Sequence, residues 1–243
     1  MKKFLRKKIS LWMVSLFTVS ILATFTVGLP LAGAADTDLE MPASASTEVK
    51  GPQLISRDQY DAVYTAPGVM VDKESYEAEY GKLNPFTKSK TAGDVSVLYT
   101  ATLSGYNSKT ITPPGGSSSS IDSEFDDNLT YNLCCHGSVD GDSHTHWWGT
   151  TPYNADRVKL SDKLTFKGVS VSIGAGSGWS ISGGSTSKTA TWTGTVYNNW
   201  RIDHYYYGIT FDGYDLWASH DATGDYKFGT SFYTINAYDS TWL

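Results

Sequence analysis

The chain has 243 residues, with 19 basic and 25 acidic side chains and a formal net charge of −6. Its 23 Gly, 16 Tyr and 8 Trp, set among abundant Ser and Thr, form a secreted all-β profile and argue against a helical or Rossmann protein. Two cysteines are too few for a disulfide framework, and the chain is long enough to close one core without it.

Lys2, Lys3, Arg6, Lys7 and Lys8 precede a mostly apolar run from Ile9 to Leu31 that exits through Ala32-Gly33-Ala34-Ala35. This order predicts a cleaved signal peptide over 1–35 and a secreted product, extracellular or associated with the cell envelope. Five basic residues and no acidic ones lie before Asp36, so the remainder carries 14 basic against 25 acidic residues, a net −11. Such a surface repels phosphate backbones, and a nucleic-acid partner is not expected.

From Asp36 to about residue 92 the chain is poor in large apolar residues and interrupted by Pro42, Pro52 and Pro67. It reads as a flexible leader or pro-segment, with one short helix near 72–83 where Tyr76 and Tyr80 are four residues apart. The β-domain is expected over 93–243. Val95, Val97, Tyr99, Ala101 and Leu103 alternate with Ser96, Leu98, Thr100 and Thr102, and Leu129, Tyr131, Leu133 and Cys135 form a second apolar row. Val158 and Leu160, then Leu164 and Phe166, predict a strand or pair broken at Ser161-Asp162-Lys163. From Val169 to Ile181 the odd positions are mostly apolar, and Thr189, Thr191, Thr193 and Thr195 then line the wet side of the next strand. Asn198-Asn199 predicts a hairpin turn between Ser187–Tyr197 and Trp200–Phe211. Tyr226, Phe228 and Phe232 are expected on one face of a last strand. The fold class is all-β, an antiparallel β-sandwich of jelly-roll or Ig-like arrangement.

The densest chemistry lies between Cys134 and Trp148. His144 and His146 alternate on a strand, so both imidazoles can point at one zinc or copper ion, with Asp142, His136 or Cys134 as a further ligand. Adjacent Cys134 and Cys135 can form a strained vicinal disulfide, an intermolecular bridge or two free thiols. Catalytic signatures are incomplete. No G-x-S-x-G elbow occurs, no Glu follows Glu124, and Asp203 and His204 point to opposite sides of their strand. Trp147, Trp148, Trp200, Tyr205 and Tyr207 are more rings than one sheet face should bury. They predict an exposed aromatic surface that contacts carbohydrate, protein or another envelope component. The resulting expectation is a secreted non-catalytic binding protein without a required cofactor. The alternatives are a membrane-active toxin or bacteriocin-like β protein and a metal-dependent secreted enzyme.

Overall fold

The computed structural model describes residues 51–242, except 69, 71, 84, 87–98, 133–135, 152, 175 and 176. All of these lie in one compact unit, Ser44–Leu243. The predicted signal peptide, Val95, Val97, Leu133 and both cysteines fall outside the described residues. Among those described, no helix is long and apolar enough to cross a membrane.

Among the described residues, ten antiparallel strands and one helix follow in chain order: β1 (Gln53–Arg57), β2 (Asp61–Thr65), α1 (Lys73–Tyr80), β3 (Tyr99–Ile111), β4 (Ser119–Tyr131), β5 (His136–Gly149), β6 (Ala155–Ser172), β7 (Ser180–Gly183), β8 (Ser187–Asn199), β9 (Arg201–Phe228) and β10 (Ser231–Trp242). They form one hydrogen-bonded sheet in the order β3-β4-β5-β9-β6-β8-β7, with β2 and β10 also paired to β9. The 28-residue β9 organises the sheet. Its first half runs against β5 and β2, while its second half runs between β6 and β10. Ser123 Oγ donates to Ala222 O, and Tyr226 Oη donates to Asp122 O and His146 O. The far half of β9 therefore touches β4 and β5 through side chains rather than through a backbone ladder.

β1, β2 and α1, expected within a flexible leader, are part of this unit. β2 pairs with Ile202–Tyr206 of β9 and is almost wholly buried. The helix begins where Asp72 accepts a hydrogen bond from Ser75 N, which satisfies one of the orphan amides of the first turn. It buries Tyr76 against Trp148 and Trp200. Sparse large apolar residues sufficed because β2 and α1 contribute few, fully covered side chains to a core supplied by the rest of the chain.

Two local expectations change. No break occurs at 161–163: β6 runs on, and Asp162 faces inward with Leu160 and Leu164 because it finds polar partners there. Asn198 has the expected positive φ of 52°, but β8 and β9 do not pair, since β6 separates them in the sheet. The chain turns a corner at Asn198 and enters β9 beside β5. The threonine row lies opposite Lys159–Thr165 of β6, with Thr193 and Thr195 exposed. The last stretch is two strands rather than one. It reverses at Gly229 with φ 59°, burying Tyr226 and Phe228 and exposing Phe232.

Candidate functional site

The register of three strands builds the site. Asp122 and Glu124 of β4 lie opposite His146 and His144 of β5, which lie opposite Arg201 and Asp203 of β9. Antiparallel neighbours across a ladder share a face, so these six side chains form a grid three strands wide and two positions deep. Asp142 and Tyr205, also opposite one another, extend it by a further row.

The two imidazoles stack with centroids 4.6 Å apart and 11° between planes. His144 Nε2 is 3.3 Å from Glu124 Oε2, and its Nδ1 is 3.6 Å from Asp142 Oδ2. His146 Nδ1 is 3.1 Å from Asp122 Oδ1, and its Nε2 is 3.7 Å from Asp203 Oδ1. Arg201 grips Asp203 through Nε and Nη2 at 2.6–2.9 Å. Trp148 Nε1 donates to Asp122 Oδ2 at 2.7 Å, and Lys73 of α1 reaches the same oxygen at 3.2 Å.

Electrostatics separates the two histidines. Burial opposes charging of His144, but the carboxylates of Asp142 and Glu124 outweigh it and push its pKa up to about 9. His144 in turn holds Glu124 down to about 2 by hydrogen bonding. Burial, reinforced by the Arg201 guanidinium, pushes His146 below its usual value. Arg201 holds Asp203 well below the usual carboxylate range against the opposing effect of burial.

The opposite face of the same strands carries a second polar cluster. Asp162 Oδ2 accepts from Ser143 Oγ and meets His204 Nδ1, both at 2.7 Å. Asp162 Oδ1 is 3.4 Å from His220 Nε2, while His220 Nδ1 meets Asp127 at 3.0 Å. Asp127 also bonds Tyr206 Oη, and His204 Nε2 is 3.3 Å from Asp61 of β2. Asp203 and His204 do point apart, as strand geometry requires, and each joins a different cluster. In the second cluster Asp127, Ser143, Asp162, His204 and His220 are fully buried and tie β4, β5, β6 and β9 to one another through hydrogen bonds and ion pairs.

The expected aromatic platform does not form. Trp147, Trp148, Trp200 and Tyr205 are all buried. Trp147 packs edge-on against Phe228 at 5.5 Å on one side of β5. Trp148 and Trp200 pack together at 4.9 Å under Tyr76 on the other. Both faces of β5 are covered, one by the far half of β9 and one by α1, so adjacent tryptophans are both inside. Tyr207 alone of the five is exposed, at 40%, and stacks on Phe86 at 5.9 Å.

Two cavities adjoin beneath α1, Gly81, Lys82, Leu83 and Phe86. One, of about 280 Å³, is lined by Lys73, Glu124, Asp142, His144, Arg201 and Tyr205 among others. The next, of about 410 Å³, is lined by Phe86, Asn128, Asp140, Asp142, Tyr205 and Tyr207 among others. Both also include Lys82, so the two form a continuous groove. Of the predicted metal ligands, His144 and His146 come together and Asp142 stands beside His144. Sequence reasoning did not join Asp122, Glu124, Arg201 and Asp203 to them. The only available signal was the alternation that sets Arg201 and Asp203 on one face of their strand. No known protein family, curated protein or solved structure matches this chain.

Proposed function

We propose that the protein is a secreted binding protein of the extracellular space or cell envelope, and that it takes a polyhydroxylated ligand, a carbohydrate, in the groove beneath α1. The observation that carries this reading is the groove lining: Tyr205 and Tyr207 offer rings, while Asp140, Asp142, Asn128 and Lys82 offer convergent donors and acceptors. A partly apolar cleft with a few placed polar groups suits a ligand whose faces are C–H and whose rim is hydroxyl. The contacts of Tyr226 and Ser123 across the sheet support reading the bent sheet as a two-layer sandwich.

The test is retention of the purified protein on cell-wall and polysaccharide preparations. Retention should fall at least tenfold in Tyr207→Ala and in Asn128→Ala, with the circular dichroism spectrum unchanged. No retention on any preparation, or retention that both substitutions leave intact, would sink the reading. Dye release from liposomes at the same protein concentration would favour a membrane-active protein instead.

A further inference from the structure

We propose that His144, His146 and Asp203 bind one divalent cation of the zinc class at the floor of this groove. One potential ligand atom from each lies within 4.8 Å of the others. A tetrahedral zinc ion sets its ligand atoms roughly 3.3 Å apart, so small side-chain rotations close the set. His146 Nε2 and Asp203 Oδ1 are already at 3.7 Å.

The surroundings are those of a metal's outer shell. Each imidazole has a carboxylate beside one nitrogen: Asp122 beside Nδ1 of His146, and Glu124 beside Nε2 of His144. Such carboxylates orient a ligating imidazole and raise its basicity. Nδ1 of His144 and both ring nitrogens of His146 are buried and make no hydrogen bond. His146 is 1% exposed, and an unpaired polar atom at that depth is destabilising. Coordination supplies the missing partner. Arg201 can keep Asp203 Oδ2, which it holds at 2.7 Å, while Oδ1 turns to the ion.

Charge selects a dication. Asp122, Glu124, Asp142 and Asp203 supply four negative charges, and Lys73 and Arg201 return two; charged His144 leaves an excess of one in the metal-free protein, which becomes two when the ion displaces the His144 proton. Two imidazoles with one carboxylate suit zinc rather than magnesium or calcium, which take all-oxygen shells. His144 lines the 280 Å³ cavity, so the remaining coordination position is reached from the groove. The proposal holds whatever organic ligand the groove takes.

The experiment is calorimetric titration of chelator-treated protein with zinc chloride at pH 7.5, in a Cys134→Ser/Cys135→Ser background that removes thiol binding. One zinc per chain is expected. His136→Gln, at the exposed end of β5, should leave the affinity unchanged, whereas His146→Gln and Asp203→Asn should each lower it at least tenfold. To separate lost binding from lost folding in the two buried variants, the more accessible His144→Gln is titrated alongside, and cobalt absorption of the parent reads the coordination geometry directly. Failure of the parent to bind zinc overturns the proposal. So does binding that His136→Gln abolishes, or binding that folded His144→Gln retains in full.

Discussion

Trp147 and Trp148 are consecutive and both buried, which a strand permits only where both its faces are covered. Their energetic role is therefore core packing. Trp147→Ala should destabilise the protein by ~3–5 kcal/mol, since it opens a cavity beside Phe228 that a sheet cannot collapse to fill. Tyr207→Ala, at a position 40% exposed, should stay within ~0.5 kcal/mol of the parent. Urea unfolding of the two variants separates the roles. If Trp147→Ala were as mild as Tyr207→Ala, the covered-strand account would be wrong.

At the scale of elements, β5 is the strand on which both clusters depend. Its odd and even residues serve opposite faces: His144 and His146 face the groove, and Ser143 and Thr145 face the interior. Gly141 occupies a point where no side chain fits. A Cβ there would lie 2.2 Å from Asp127 Oδ1, 2.7 Å from Tyr206 Oη and 2.8 Å from the backbone oxygen of Asp126. The last contact is with a fixed neighbouring strand, so relaxation must move β4 or β5 itself. Gly141→Ala is expected to cost ~1–3 kcal/mol and to loosen the Tyr206–Asp127 contact. A melting temperature equal to that of the parent would show that the strands have room the geometry denies. Helix α1 plays the complementary part on the groove side. Its Tyr76 caps Trp148 and Trp200, and its Lys73 neutralises Asp122.

For the whole molecule, the consequence is a stability that declines on the alkaline side. Burial opposes charging of His220, but Asp127 and Asp162 push it up to about 10, and Asp162 with Asp61 raises His204 in the same way. A histidine raised above its unfolded value of about 6.5 stabilises the fold fully below that pH, and the contribution disappears as pH climbs through the folded value. In the metal-free protein His144, pushed up to about 9, acts in the same direction. His146 is lowered and opposes them below about 6.5, where it resists charging. The melting temperature should therefore fall between about pH 7 and pH 10. The fall should be shallower in His220→Gln, even though that variant starts from a lower plateau. Scanning fluorimetry across this range checks it; a flat or rising profile in the parent would refute the charged-histidine account.

Period-two alternation alone marked the β class, the burial of Val158, Leu160, Leu164 and Phe166 on β6 and of Tyr226 and Phe228 on β9, the shared face of His144 and His146, and the opposed faces of Asp203 and His204. These follow from the pleat, which needs no partner to be known. Positive φ at Asn198 was equally local. What the strand at 201–211 pairs with was not local. β8 is adjacent in sequence, yet β5 and β2 take the ladder, and only that pairing brings Asp203 and Arg201 to the two histidines. Asp162 looked like a strand break because its three partners, Ser143, His204 and His220, lie 19 to 58 residues away in the chain. The aromatic rings looked like a surface because the residues that cover them, Tyr76 and Phe228, come from opposite ends of the chain. Alternation tells which side a residue faces; only the tertiary structure decides whether that side meets water, because coverage is a property of elements distant in sequence.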